Sequence, residues 1–480
     1  MRQSLHQRPT RAALTLCAAA ALWAAAFARA QESGAPPAQR LPAAAAPAPR
    51  LVAALEGYEG PSVMSGRRVL AAFSPDGRTL ALSGAGRTIR LHDAETGKLL
   101  LTLAGEKADE GFNGFTFAAD SRVGATRNVP DRSVSLWDLT NGKPLLKLAG
   151  RERDIETKVK GTATPTEEYV SVPLSPDGRV VLTEREDDII VAWDAASGKE
   201  LLTLEHKTET SATKDVLSLF LPFGSMPRPL MMSATFSPDG ARVFTANGDK
   251  NPKLWDAATG RLVATLHTER RHDHVYASAF LPAAGALLTV SFGGEVNLWD
   301  ASTGAHRKTL VREANRVYVY DIGHDGGRVA YTGDGRLVAA QSEDEGKDEI
   351  KIWDAADGRT LATIEKNKSK LLAFSPDGRT LAAAGGDKRS TAQLWDAATG
   401  RLKLSLARTD GGARTLAFSP DGRLLVTTNA KGVRLWDAET GALVATLDRA
   451  RFPAHFSPDS RRLITGGTDK TAYLYEISTK

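Results

Sequence analysis

The chain has 480 residues, with 62 Lys and Arg against 57 Asp and Glu, 42% apolar residues and a single cysteine. Four of the basic residues, Arg2, Arg8, Arg11 and Arg29, fall within the first 30 positions. Without them the charge is nearly balanced, which excludes a general electrostatic attraction for nucleic acid.

Those first positions form the first predicted element. Basic residues precede an uncharged Ala/Leu-rich run from Ala12 to Ala28, followed by Ala28-Arg29-Ala30. Residues 1–30 therefore read as a signal peptide with a small-residue cleavage site, not as a permanent membrane span. Cys17 follows Leu16 inside the apolar run, so a lipid anchor is not expected. Removal of the segment would leave no cysteine for a disulfide, a thiolate metal site or a nucleophile. Periplasmic or secreted placement, in a bacterium, is the corresponding expectation. Residues 31–49 carry five prolines among many alanines and read as an extended linker that cannot bury a core.

From Arg50 to the end about 430 residues remain, more than one core usually covers unless the architecture repeats. Repetition is present. Phe374-Ser375-Pro376-Asp377-Gly378-Arg379 is followed by an apolar run, then Gly385-Gly386-Asp387, then Leu394-Trp395-Asp396, then Thr399-Gly400 and the alternating Leu402, Leu404 and Leu406. In Ser-Pro-Asp-Gly, proline presets φ, aspartate bonds nearby backbone and glycine accepts the positive φ that closes a turn. Short strands between three turns make each unit a four-stranded antiparallel meander.

Nine units follow this order, with turns expected after Phe73, Phe117, Leu174, Phe236, Phe280, Ile322, Phe374, Phe418 and Phe456. Their third strands end in His92-Asp93, Trp137-Asp138, Trp193-Asp194, Trp255-Asp256, Trp299-Asp300, Trp353-Asp354, Trp395-Asp396, Trp436-Asp437 and Tyr475-Glu476. On these motifs residues 50–480 resemble the WD-repeat family, in its bacterial variety rich in F-S-P-D-G and L-W-D-x-x-T-G. The resemblance implies an all-β fold, a single β-propeller of four-stranded blades: nine in one ring, with eight blades or two unequal rings as alternatives. The last unit supplies three strands, while Arg50 to Leu55 matches a fourth strand such as Arg261 to Leu266. The N-terminal strand is thus expected to close the ring by pairing with the last blade.

The family's buried tetrad joins the Trp to a strand Ser or Thr, a turn Asp and the His of a Gly-His pair. Here the Gly-His element is essentially missing, with Ala104-Gly105-Glu106 and Ala149-Gly150-Arg151 in its place. Trp137, Trp193, Trp255, Trp299, Trp353, Trp395 and Trp436 are accordingly expected as structural residues packing between blades. The aspartate after each should bond the following turn.

A Ser-Asp pair repeated around a ring with no fixed histidine is a turn former, not a catalytic site. His267, His272 and His274 have metal-ligand residue types, but Arg270 and Arg271 between them would repel a cation, and a solvated loop is expected. No cofactor or metal is expected. The enzymatic alternative is a propeller of quinoprotein type using its central channel. In the pyrroloquinoline-quinone family, however, the characteristic Trp follows the Thr-Gly, whereas here Trp395 precedes it.

The first and third turns share one end of a meander, while the second turn and the blade-to-blade connection share the other. Insertions at 150–168, 205–232 and 343–349 all fall on that second, variable end, where binding is expected to concentrate. One of them holds Leu217, Phe220, Phe223, Met226 and Met232, too apolar for a free loop: a plug over its own blade or the channel, a partner-docking site, or a membrane contact. The sequence thus points to an exported scaffold binding a protein or peptide partner without catalysis.

Overall fold

The computed structural model describes residues 48–58, 71–84, 88–105, 111–129, 133–150, 172–185, 189–205, 233–246, 252–267, 275–291, 294–312, 328–342, 348–367, 369, 371–385, 392–407, 413, 415–429, 431–467 and 470–477. All of them belong to one compact unit, Ala46–Lys480. The expected signal peptide, nearly all of the linker and the apolar insertion lie outside the described residues.

The unit is a nine-bladed propeller. Nine antiparallel sheets follow one another along the chain, the first eight each a meander in sequence order. Blade 7 is representative: Leu371–Phe374, Thr380–Ala384, Gln393–Asp396 and Leu402–Ser405. In blade 3 the innermost position is reduced to a single bridge, Leu174 to Val181. In every blade the pairing of the third strand with the fourth slips by one residue next to the Trp position, as between Leu394 and Trp395. Such a bulge twists the outermost strand away from a flat edge.

Blade 9 closes the ring as expected. Its own strands Ala450–Phe456, Arg462–Gly467 and Thr471–Glu476 are completed by Arg50–Glu56, which pairs antiparallel with Thr471–Glu476. This clasp strand runs from Arg50 opposite Glu476 to Glu56 opposite Thr471. Arg50 Nη2 lies 2.6 Å from Glu476 Oε2 at one end, and Arg90 Nη1 of blade 1 donates to the Glu56 carbonyl at 2.8 Å at the other.

Apolar contact joins blade to blade at every seam. Nine buried clusters occupy the seams. One joins Leu91 and Leu103 of blade 1 to Phe112 and Trp137 of blade 2. Others join Ile350 and Ile364 of blade 6 to Leu372 and Leu381 of blade 7, and Val426 and Leu435 of blade 8 to Leu463 and Tyr475 of blade 9. The last joins Leu55, Ile464 and Leu474 of blade 9 to Leu80 and Leu82 of blade 1. With each fully buried Leu or Ile contributing about 1.5–3 kcal/mol, every seam is a small core in its own right.

Blade 6 differs from the sequence reading. Its first turn is not the one after Ile322. It is Thr332-Gly333-Asp334-Gly335-Arg336, between strands Val329–Tyr331 and Leu337–Ser342. The reason is local: Thr332 Oγ1 donates to Asp334 Oδ1 at 2.6 Å and accepts from Leu337 N, doing what Ser375 does in blade 7. The following Leu337-Val338-Ala339-Ala340 can build a buried second strand.

Blades 2 and 9 have serine where the first turn elsewhere has glycine, and Ser121 and Ser460 adopt φ of 59° and 62°. A left-handed backbone costs a non-glycine residue about 1 kcal/mol or more. Each hydroxyl accepts the backbone N–H of an aspartate in the preceding blade's or neighbouring turn, Asp421 for Ser460 at 3.0 Å and Asp76 for Ser121 at 3.2 Å. Ser460→Ala is therefore expected to destabilise by about 1–2 kcal/mol, because strain stays and the hydrogen bond goes, while Ser460→Gly is expected to be nearly neutral. Denaturant midpoints of the two variants check this.

Candidate interaction surface

Two sets of polar side chains repeat around the ring, and each has a structural use. On the end shared by the first and third turns, the aspartate after each Trp accepts from the turn that follows it. Asp256 Oδ1 takes both the N–H and the hydroxyl of Thr259, at 3.0 and 2.7 Å, and Asp396 does the same with Thr399. Hydroxyl donation, reinforced by backbone N–H groups, holds Asp93, Asp138, Asp194, Asp256 and Asp396 below the usual carboxylate range. Asp300 is lowered further, by Ser302 and then by Arg307 Nη2 at 2.7 Å. A carboxylate depressed in the folded state adds stability above its unfolded pKa of about 3.9 and loses it as pH falls below. These turns are thus insensitive to pH between about 5 and 8.

The glycine of each third turn packs on the preceding blade. Gly304 has φ +71, and a Cβ there would stand 2.4 Å from the Ala264 Cβ of blade 4. Glycine is required twice over, by conformation and by space.

The second set lies inside the seams. Trp255 Nε1 donates to Thr245 Oγ1 at 2.8 Å, with the same bond from Trp137 to Thr126, Trp193 to Thr183, Trp299 to Thr289 and Trp436 to Thr427. Trp137, Trp255, Trp299, Trp353 and Trp436 are buried, whereas Trp193 and Trp395 are partly buried against their clusters. The resemblance implied a strand Ser or Thr beside the Trp, but sequence reasoning assigned it to no position. The signal was available: it stands two residues beyond the residue paired with the Trp, as Val243 pairs with Trp255. In blade 7 Ala383 occupies this place, and Trp395 Nε1 is buried without a partner. Blade 9 has the converse, Thr465 Oγ1 unpartnered where Tyr475 replaces Trp. Thr245→Val keeps the shape and strands the Trp255 N–H, so a loss of about 1–3 kcal/mol is expected in equilibrium unfolding.

The perimeter carries a repeated apolar feature. Each outer strand begins exposed beside the third turn, and in several a later residue is buried, so that in Leu99–Leu103 the first two residues are exposed and Leu103 is buried. Leu51, Leu99, Leu145, Leu201, Leu262, Leu402 and Leu443 are each 41–50% exposed at this position.

The five apolar residues expected to dock a partner, Leu217, Phe220, Phe223, Met226 and Met232, lie outside the described residues, as do His272 and His274. His267 is exposed at the end of blade 4. Among the described residues no group of three His, Cys, Asp or Glu is placed to hold a metal ion. Likewise, no helix among them is long and apolar enough to cross a membrane.

Comparison with known proteins bears on these repeats directly. The family described as "WD domain, G-beta repeat" matches at residues 228–256, 401–437 and 444–476. The chain carries WD40 repeats. The matched segments end on the third strands of blades 4, 8 and 9, each at the Trp-Asp pair or its Tyr475-Glu476 counterpart. The chain is similar to Autophagy-related protein 16 of Arabidopsis thaliana, 22% identical over 325 residues, covering 67% of this chain and 54% of that protein. It is also similar to Nuclear distribution protein PAC1 of Arthroderma benhamiae, 28% identical over 183 residues, 35% of this chain and 36% of that one. The chain spans about half the length of the first relative and about a third of the second. In structure it is similar to the C-terminal WD40 domain of Sif2, with a TM-score of 0.52 and 14% identity, covering 90% of this chain and 99% of that one.

Proposed function

We propose that the protein is an exported, non-catalytic scaffold that holds a protein or peptide partner on the end of the ring formed by the second turns and the blade-to-blade connections. The observation that carries this reading is the division of labour between the two ends. The first and third turns are occupied by repeated internal hydrogen bonds, the Ser375–Asp377 and Asp396–Thr399 type, that recur from blade to blade. Variation in length and apolar character is concentrated at the other end. A ring locked by nine apolar seams suits a rigid platform for such loops. Similarity to WD40 proteins named for autophagy and nuclear distribution supports a role in assembly, and the charged, apolar and Ala-Arg-Ala order of residues 1–30 supports export in a bacterium.

The test is in-cell crosslinking and capture with the full chain beside a variant lacking residues 212–232, with the thermal midpoint of both measured. A partner held by the full chain and lost from an equally stable deletion is the expected result. Loss of the midpoint without any captured partner would make the segment a structural plug and overturn its docking role. Fractionation of cells expressing the chain checks the export reading, with the shortened protein expected outside the cytoplasm.

A further inference from the structure

We infer that the ring closure carries a proton-sensitive latch: protonation of His92 loosens the seam between blade 9 and blade 1 and releases the clasp strand Arg50–Glu56. Blade 1 alone has histidine at the position held by Trp in seven blades and by Tyr475 in the ninth. His92 is 6% exposed and lies opposite Leu80, whose side chain packs with Leu55 and Leu474 in the closing seam.

Its ring is tied to the clasp through one turn. Nδ1 is 3.0 Å from the Gly97 carbonyl, which can only accept, so Nδ1 carries the proton and Nε2 is the site a second proton must take. Gly97 lies flush against the clasp strand: a Cβ there would meet the Ala53 Cβ at 2.3 Å. Charged groups around the seam do not favour an imidazolium. Arg90, two residues before His92, repels it and is bonded to the Glu56 carbonyl. Asp93 is engaged by Thr96 and Glu95 N, and Glu476 by Arg50 at 2.6 Å with Arg462 at 3.8 Å. Lys98 and Glu56 are exposed. Burial, opposed by the Gly97 bond and reinforced by Arg90, holds the imidazole below its ordinary range.

The sign follows. An opened seam hydrates His92 and restores a pKa of about 6.5, so the open form binds the proton first as pH falls. Closure is fully supported above about 6.5 and weakens as pH drops toward the folded value, in a window above that of the turn aspartates.

Hydrogen exchange on the full chain, corrected for intrinsic rates, tests this between pH 7.5 and 5. Protection of amides in 50–56 and 471–476 is expected to fall with decreasing pH, by up to about tenfold per unit for one proton, while the 296–300 strand of blade 5 holds constant. His92→Gln is expected to abolish the dependence. A clasp whose protection does not change with pH, or changes equally in His92→Gln, overturns the latch. Should the variant fold poorly, nuclear magnetic resonance titration of His92 in the unaltered chain decides, and a value at or above about 6.5 rejects it.

Discussion

A chain shortened to begin at Gly57 is expected to melt well below the full-length protein, by ten degrees or more, and to become protease-sensitive in blade 9. The clasp strand contributes more than its own seven residues. Leu55 is buried, and with the strand gone Ala472 and Leu474 lose the cover of their sheet edge and Leu80 and Leu82 lose part of theirs. At about 1.5–3 kcal/mol for each large apolar side chain returned to water, several kcal/mol of seam energy is at stake. Ring closure also removes a free edge on Thr471–Glu476 that would otherwise invite pairing with another chain. A peptide of residues 48–58 added to the shortened chain is expected to restore much of the midpoint, because strand addition to an open edge needs only main-chain hydrogen bonds and pockets for alternate side chains. An unchanged midpoint after truncation would mean that the closure is decorative.

Replacing a seam tryptophan is the second large effect. Trp299→Ala is expected to cost about 3–5 kcal/mol, since the side chain is 2% exposed, packs with Phe244, Leu254 and Leu266 of the preceding blade and uses its N–H on Thr289. Trp395→Ala should cost less, because that ring is only partly buried and its N–H has no partner. The contrast sharpens with phenylalanine. Trp299→Phe leaves the Thr289 hydroxyl without its donor and should destabilise, whereas Trp395→Phe removes an unpaired buried donor and should be neutral or stabilising. Unfolding of the four variants in denaturant gives the comparison, and equal costs at the two sites would refute the seam description.

Much of this architecture was legible because its signals are local. Ser-Pro-Asp-Gly and Asp-x-x-Thr-Gly each specify a turn through side chain to backbone bonds within a few residues, and Arg50 to Leu55 advertised itself by likeness to other outer strands. Blade 6 misled for the same reason: Gly323-His324-Asp325-Gly326 and Gly333-Asp334-Gly335 both look like turns, and only the apolar residues after Arg336 decide between them. The Trp–Thr bonds could be assigned to particular residues only once the register between two strands about ten positions apart was known. The leucines of the perimeter read as ordinary alternation, yet Leu99 and Leu100 are both exposed and Leu103 is buried. The binding residues proposed on the second-turn end rest on chemistry of composition alone, which says what a loop could cover and not what it touches.

The clasp has a consequence for how the molecule comes into being. Arg50 and Glu476 meet across 426 positions of chain, so the clasp strand has no partner until Thr471–Glu476 has been made. At about 5–20 residues per second that interval is roughly 20–80 s. Through it, blades 1 to 8 can assemble seam by seam while Arg50–Glu56 waits as an unpaired, apolar strand. The vulnerable moment in the life of this ring is therefore the interval before closure, and holding that one segment apart until its partner strand arrives is the task any accompanying chaperone would have to perform.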